Sequence, residues 1–342
     1  MPPSRQDFDA LILAAGFGTR LRPITNHIPK PVVPVFGIPA VVLIHDWLKR
    51  SGAKRVGINT HYLPEKLTSV LESWGVVFDR IFLEPEIRGT GGALLAFEDW
   101  LIERPLLAHN SDIFHDIHVA QVTDFVEALS LSKACLGVTT ELKDFPKKLA
   151  GSQNVITSIR GEPTPLSSDK LMGYLGLQVV TSSVLTQLKK MDFPSDILTS
   201  YIDAYSANDS IGFCDLHPTV CFDIGSVAEF LSIHRYVLKN GPTSFGISGL
   251  LSSKSRDFVW VGEDSQETIG RMEIEGPSFL SNVDCEKASG HIGPNVACWD
   301  SQLSGTFAGA SDCVIFEGGL NASDLPGQPS NFVYSNGEYS QV

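Results

Sequence analysis

From residue 10 onward, short apolar runs alternate with segments whose apolar residues recur at helical spacing. Runs at 10–14, 55–59, 77–83, 105–110 and 134–139 read as strands, and 40–50, 64–74, 92–101 and 119–131 read as helices. Strand and helix taking turns in this way predicts an α/β domain with a mainly parallel sheet, because parallel neighbours need a crossover and a helix is the usual one. Ligands of such sheets gather at the carboxyl ends of the strands, which places the loops after Leu13, Asn59, Leu83 and Asn110 on one rim.

Between 142 and 172 the alternation dissolves into Pro, Ser and Gly. It returns with a strand at 174–180, helices within 182–190 and 195–207, and a strand at 219–223. Ser226 and Glu229 have capping-box spacing and predict a helix to about residue 240, closing a first domain of residues 1–240. Residues 241–257, GPTSFGISGLLSSKSRD, read as a linker. Helical spacing is absent from 258–320, where steps of six from Ile274 meet Leu280, Glu286, Ile292, Cys298, Ser304, Ala310 and Phe316. That period suits a hexapeptide β-helix, with an ordinary small β-domain as the other reading. Residues 321–342 read as a polar, mobile tail.

Composition narrows the functional classes. At 342 residues and 43% hydrophobic, the chain has material for two cores, and no uninterrupted apolar stretch approaches a membrane span. With no leader-like start, a soluble, cytoplasmic protein is the expectation. The six cysteines lack CxxC spacing, which disfavours a zinc site or a disulfide scaffold and leaves buried, reduced thiols. A net charge of −13 argues against nucleic-acid binding. Yet residues 1–55 carry eight basic residues (Arg5, Arg20, Arg22, Lys30, Lys49, Arg50, Lys54, Arg55) against Asp7, Asp9 and Asp46. A basic patch in an acidic chain suits a small anionic ligand.

The patch contains LAAGFGTRLRPITNHIPKP, residues 13–31. A glycine turn leaving a strand, edged by Arg and Lys, offers backbone N–H groups and positive charge to a polyphosphate. The dinucleotide fingerprint fails because Leu21 stands where its third glycine belongs, and no Gly-Lys-Ser/Thr makes a P-loop. Spacing alone leaves a structural turn and a phosphate cradle equally open.

The longer stretch LILAAGFGTRLRPITNHIPKPVVPVFGIP closely resembles the signature of the sugar-1-phosphate nucleotidyltransferases. The resemblance continues through EPEIRGTGGAL (84–94), LLAHNSDIFHDI (106–117), MGYLGLQVV (172–180) and CFDIGSVAEFL (221–231), covering about residues 8–240. It implies a Rossmann-like nucleotidyltransferase domain, and the C-terminal part resembles the left-handed β-helix appended to many members. Implied nucleotide contacts are Ala14, Ala15, Gly16, Gly18 and Thr19, with Gly89, Thr90, Gly91 and Gly92 at the base. Arg20 would meet the β- and γ-phosphates and Lys30 the α-phosphate. Asp112 and Asp223 would hold Mg²⁺, while Asn110, Glu162 and Gly173 would face the sugar phosphate. His109, His115 and His118 lack ligand spacing and read as structural or surface residues.

Two positions depart from the family pattern. Asn110-Ser111-Asp112 stands for Asn-Gly-Asp, and Gly161-Glu162-Pro163 stands for Glu-Lys-Pro, so the lysine expected at the sugar phosphate is missing; Lys170 is one substitute. The implied reaction joins a nucleoside triphosphate, GTP or UTP, to a sugar-1-phosphate. Gly-Thr-Gly-Gly is slightly closer to the guanylyltransferases of mannose-1-phosphate or heptose-1-phosphate than to uridylyltransferases. A non-catalytic subunit that binds a nucleotide sugar is the alternative class, disfavoured by retention of Arg20, Lys30, Asp112 and Asp223. An acetyl-transferring β-helix would have His291 as its one evident base, and a packing or homo-oligomerisation role suits that domain better.

Overall fold

The computed structural model describes residues 6–142, 145–198, 201, 211–241, 253–256, 259–262, 272–274, 278–294, 296–325 and 329–341. It forms two compact units, one of Met1–Phe17 and Ile44–Phe222, the other of Gly18–Leu43 and Asp223–Val342. In chain order the strands to residue 223 are β1 (Asp9–Leu13), β2 (Pro34–Val35), β3 (Ile38–Pro39), β4 (Val56–Thr60), β5 (Arg80–Leu83), β6 (Leu106–Asn110) and β7 (Ile113–His115). They continue with β8 (Ala134–Thr139), β9 (Lys147–Ser152), β10 (Val155–Ile159), β11 (Lys170–Val180), β12 (Ile211–Asp215) and β13 (Cys221–Asp223). The helices are α1 (Ala40–Arg50), α2 (Pro64–Ser73), α3 (Gly89–Leu95), α4 (Glu98–Glu103), α5 (Gln121–Glu127), α6 (Leu185–Leu188) and α7 (Val227–Asn240).

The first unit is built on a nine-stranded sheet in the order β5-β4-β1-β6-β11-β8-β12-β10-β9. The block β5-β4-β1-β6 is parallel, as is β8 with β12. Strand β11, however, runs antiparallel to β6, β8 and β9, and β10 runs antiparallel to β9 and β12. The sheet is therefore mixed, which corrects the expectation of a mainly parallel one. The cause lies in the segment read as loop: β9 and β10 are joined by Gln153-Asn154, both in the left-handed region (φ 52° and 61°), a two-residue hairpin that returns the chain with no crossover helix. The predicted helix at 195–207 is described only to Leu198 and at Tyr201; the rest lies outside the described residues.

Burial sets the sheet's frame. Leu11, Leu106, Ala108, Leu136 and Val180 are fully buried and pack with Phe97, Trp100 and Leu101 of the α3–α4 layer. The single helix predicted at 92–101 is broken at Phe97, whose ring lies against the β4 backbone: a Cβ on Gly57 would fall 2.3 Å from Phe97 Cε1. At the amino end of β1, fully buried Asp9 accepts from Arg55 Nη2 at 2.6 Å and from the Arg55 backbone N–H at 3.1 Å, so its charge is compensated. The opposite, carboxyl end of β1 lies between β4 and β6, where the strand order changes direction, the usual crevice for a ligand.

The second unit joins residues 18–43, a series of 3-10 turns ending in the β2–β3 hairpin, to the chain after Asp223. Helix α7 begins at the predicted cap, with Ser226 Oγ accepting from Glu229 N–H at 3.3 Å and donating to Glu229 Oε2 at 2.9 Å. Most of the expected linker lies outside the described residues, but Ser253–Arg256 is a strand, β14, paired antiparallel with β15 (Val259–Gly262). Then follow β16 (Met272–Ile274), β17 (Ser278–Ile292), β18 (Val296–Ala308), β19 (Ser311–Asn321), β20 (Ser330–Ser335) and β21 (Glu338–Gln341).

Strands β17 and β18 are separated by only three residues yet pair in parallel, as do β18 with β19 and β19 with β20. So short a connection cannot cross over, so each extended stretch must itself wind back: the chain forms a parallel β-solenoid. Paired residues are 17 to 19 positions apart, close to three six-residue steps. Leu280, Cys298, Ile315 and Tyr334 align in one buried column, and Ser278, Val296, Cys313 and Phe332 in another. The six-residue count fails at Glu286, which is exposed, and slips by one after Cys298: Ile315 takes the column, and Phe316 stacks with Trp299 at 5.2 Å and meets Phe230 of α7 at 6.1 Å.

The polar-tail expectation is also corrected. Residues 330–341 form a hairpin around Asn336-Gly337 (φ 49° and 81°), and Phe332 is fully buried in the solenoid. The Asn-Gly pair between alternating strands is a strong hairpin signal that the expectation of a polar tail did not take into account. Phe332→Ala is expected to destabilise the full chain by about 3–5 kcal/mol in denaturant unfolding followed by tryptophan fluorescence. A mobile tail would give no change.

Candidate active site

Where β1 ends, its backbone runs out of sheet partners, and side chains from neighbouring strands supply them. Ala14 N–H donates to Asn59 Oδ1 at 2.8 Å; Asn59 Nδ2 donates to Glu84 Oε1 at 2.8 Å; Glu84 Oε2 accepts from Arg88 N–H at 2.8 Å. Asn59 and Glu84 are 3% and 1% exposed, so this relay crosses the carboxyl ends of β1, β4 and β5 out of water. It links the glycine turn to the Gly89–Gly92 segment. The sequence reading missed both residues as site components. Glu84 was visible as the first residue of EPEIRGTGGAL, and Asn59 as the polar end of an apolar run.

The glycines differ in what they are for. Gly16 is exposed, lies outside the left-handed region, and has no atom within 4 Å of the place a Cβ would occupy. Neither backbone nor packing demands a glycine there. Gly89 is the opposite case: φ is 73°, and a Cβ would fall 2.3 Å from Ser195 O. Gly91 N–H donates to that same oxygen at 3.1 Å, Thr90 Oγ1 accepts from Ile197 N–H at 2.8 Å, and Arg88 lies 4.7 Å over the Phe193 ring. Gly91 and Gly92 are buried in this docking against residues 193–197.

After β6, Ser111 N–H donates to Leu13 O at 3.2 Å, so the Asn110-Ser111-Asp112 turn begins beside the glycine turn in the first unit. Asn110 and Asp112 are half-buried. Gly176 of β11 presses on Asn110, a Cβ there falling 3.1 Å from Asn110 Nδ2. Gly173 is buried under Phe145, and Glu162 is exposed at the bend after β10. The cations of this region are sorted by their partners. Lys170 stands 3.8 Å from Asp215 and Arg160 2.6 Å from Asp196, whereas Lys147, in register with Gly173, donates to the Thr140 carbonyl at 2.6 Å.

His109 and His115 are structural, as the sequence reading has it, and form a relay of their own. Ile117 N–H donates to His115 Nδ1 at 3.3 Å, which leaves His115 Nε2–H to donate to His109 Nε2 at 3.2 Å and His109 Nδ1–H to donate to Asn110 O at 2.6 Å. Burial holds the His109 pKa down at about 4 and that of His115 well below the ordinary range. His118 is exposed at the start of the following helix.

The second unit carries Gly18, Thr19, Arg20, Lys30 and Asp223. Gly18 is left-handed (φ 65°); its carbonyl accepts from Thr25 Oγ1 at 2.8 Å, and a Cβ would fall 3.0 Å from Thr25 Cγ2 and 3.1 Å from Lys30 Cβ. Arg20 follows in the 3-10 turn Thr19–Leu21, and Lys30 opens the turn Lys30–Val32. Arg20 and Asp223 border the same point, since a Cβ on Gly225 would fall 2.7 Å from Arg20 Nη2 and 3.1 Å from Asp223 Oδ1.

A family profile described as "Nucleotidyl transferase" matches residues 9–145. Mannose-1-phosphate guanylyltransferase 1 of Arabidopsis thaliana is 32% identical over 296 residues, covering 82% of this chain and 78% of that protein. The UTP–glucose-1-phosphate uridylyltransferase of Synechocystis sp. is 23% identical over 317 residues, covering 84% and 77%. A solved UDP-glucose pyrophosphorylase, complexed with UDP-glucose, superimposes with a TM-score of 0.54 at 17% identity over 68% of this chain and 99% of that one, a likeness of fold. The chain belongs to the sugar-1-phosphate nucleotidyltransferases. It is an enzyme of that family; its relatives differ in the nucleotide they are named for.

Two outcomes follow from this geometry. Gly89→Ala is strained by its φ and by the Ser195 carbonyl, so it is expected to lower the melting temperature by several degrees, about 1–3 kcal/mol, in thermal unfolding. His109, His115 and His234 (His234 also near 4) have folded pKa values depressed below their unfolded value. The unfolded chain therefore binds more protons below about pH 6.5, and stability present above that pH is lost as pH falls toward 4. Denaturant midpoints measured from pH 7.5 to 5 should fall, and His234→Phe should flatten the slope.

Proposed function

We propose that this enzyme transfers a nucleoside monophosphate from a nucleoside triphosphate to a sugar-1-phosphate and releases pyrophosphate, with guanylyl transfer to mannose-1-phosphate or a heptose-1-phosphate as its reaction. The observation that carries the reading is Gly16: a glycine required by neither its backbone nor its neighbours, at the carboxyl end of β1, next to Ala14 whose N–H is fixed by Asn59. A residue kept small against open space suits a bound phosphate chain. The guanylyl assignment is supported by Gly-Thr-Gly-Gly and by the 32% identity to the Arabidopsis guanylyltransferase. Uridylyl transfer is the second reading, supported by the Synechocystis relative.

In this reading an oxygen of the sugar phosphate attacks the α-phosphorus in line, the bond to the bridging oxygen of the β-phosphate breaks, and pyrophosphate leaves. No protein nucleophile is needed, so the chain's work is positioning and charge. Ala14, Ala15, Gly16, Gly18 and Thr19 hold the triphosphate by backbone contact, Arg20 meets the leaving phosphates, and Lys30 offsets charge growing at the α-phosphate. Of the base-contacting set Gly89, Thr90, Gly91 and Gly92, the half-buried Gly89 and Thr90 would face the base, while Gly91 and Gly92, buried against residues 193–197 with the Gly91 N–H on Ser195 O, hold the turn in place. Asn110, Glu162 and Gly173 orient the sugar phosphate, with Lys147 the cation in register with Gly173. Asp112 and Asp223 would hold Mg²⁺. No group of three or more His, Cys, Asp or Glu side chains that could hold a metal occurs among the described residues. Two carboxylates fit this ion, which commonly takes one or two and completes its shell with substrate phosphates and water. Bound there, it would neutralise phosphate charge. The C-terminal solenoid is read as the left-handed hexapeptide type.

The test is pyrophosphate release with Mg²⁺, crossing GTP, UTP, CTP, ATP and dTTP with mannose-1-phosphate, heptose-1-phosphate, glucose-1-phosphate, N-acetylglucosamine-1-phosphate and N-acetylmuramic acid 1-phosphate. Release confined to GTP with one sugar, and lost in Asp112→Ala, is expected. Binding of nucleotide sugars with no turnover of any pair would instead mark a regulatory subunit. Arg20→Ala and Lys30→Ala should each lower kcat by about 10²–10³-fold with melting unchanged. Gly16→Ala should weaken triphosphate binding about tenfold or more without loss of stability, since its methyl would enter ligand space rather than protein.

A further inference from the structure

The residues that carry Arg20 and Lys30 are anchored to the C-terminal solenoid at two places. One is deep: Phe36 N–H donates to His234 Nε2 at 3.3 Å, the Phe36 and His234 rings stack at 5.1 Å, and His234 stacks on Trp299 at 5.4 Å. His234 Nδ1–H donates to Phe230 O at 2.7 Å, which leaves Nε2 free to accept. This fixes the end of the segment beyond Lys30. The other anchor is polar and sits between the two cations. Glu338, the first residue of β21, takes Asn26 Nδ2 on one carboxylate oxygen at 3.2 Å and His27 Nε2 on the other at 3.3 Å.

The position of that second anchor is what matters. Asn26 ends the 3-10 turn Ile24–Asn26, which lies between the turn holding Arg20 and the turn holding Lys30. Its neighbour Thr25 is fully buried, bonds the Gly18 carbonyl, and packs on the same glycine that Lys30 Cβ touches. Glu338 is thus one residue removed from the group that sets the spacing of Gly18 and Lys30. It follows directly on the Asn336-Gly337 turn and pairs with Ser335 across the terminal hairpin. His27 and Glu338 are each 41% exposed, so the contact adds little to global stability.

We infer that Glu338 is a positioning residue for the phosphate-binding segment, acting through Asn26 and Thr25 on Gly18, Arg20 and Lys30, and that the terminal hairpin serves catalysis rather than only closing the solenoid. The role in turnover rests on the nucleotidyl-transfer reading; the ordering of the segment does not.

Two measurements on full-length protein keep the two separate. In steady-state kinetics on the best substrate pair, Glu338→Ala is expected to lower kcat/KM for the nucleoside triphosphate about tenfold, with KM for the sugar-1-phosphate unchanged. Glu338→Gln, whose amide oxygen still accepts from Asn26, should recover most of the loss. Glu286→Ala, another exposed acid of the solenoid, should behave as wild type. In hydrogen exchange, Glu338→Ala should speed the amides of residues 18–33 roughly fivefold while those of β1 and β6 and the melting temperature stay constant. Wild-type exchange in 18–33 overturns the inference whatever the activity. So does tighter triphosphate binding by Glu338→Ala, which would make the carboxylate a competitor of the phosphates. If the wild type turns over no pair, the nucleotidyl-transfer reading falls, and exchange alone decides the positioning role.

Discussion

A strand that ends inside a protein leaves backbone N–H groups with no ladder partner, and the candidate site is arranged around how β1 resolves that. Ala14 N–H is met by Asn59, Asn59 is held by Glu84, and the second Glu84 oxygen takes Arg88 N–H. A carboxylate only 1% exposed persists because every link is made; remove one and a charge or an amide is left buried without its partner. Three loops are thereby tied together at one rim by buried side chains.

The same economy of small residues serves different ends along that rim. At Gly89 and Gly91 the absent Cβ makes room for the protein's own Ser195, whereas at Gly16 it leaves space that the protein does not fill. Glycine-rich sequence therefore has two meanings here, and the surroundings of each position separate them. The histidines follow a similar logic. His109, His115 and His234 are kept neutral by burial, so each can accept as well as donate: His234 holds backbone with both ring nitrogens, while His109 and His115 each hold backbone with one and each other with the second.

The division of labour along the chain is less sequential than the primary structure suggests. Residues 18–43 lie next to β1 in sequence but cluster with the chain after Asp223. Phe36 on His234 and Asn26 on Glu338 are contacts across roughly 200 and 300 positions, set by ring stacking and paired hydrogen bonds that leave no periodic trace. They make the solenoid a support for residues that bear charge.

What the sequence by itself determined was largely local. The strand–helix alternation of the first 140 residues, the Ser226 cap of α7 and the family signature were legible, because burial of one face and termination of an element act over a few residues; the six-residue step held only in part, missing at Glu286 and slipping after Cys298. The Asn-Gly hairpin at 336–337 was equally local, and the expectation of a polar tail did not take it into account. Tertiary structure alone decided the rest. Strand β11 inserts antiparallel because a hairpin of β9 and β10 replaces the expected crossover, the solenoid slips register because Trp299 and Phe316 turn toward α7, and Asn59 and Glu84 meet because β4 and β5 are neighbours in space. Direction, register and pairing depend on which surfaces meet, and that is a property of the packed chain rather than of any stretch of it.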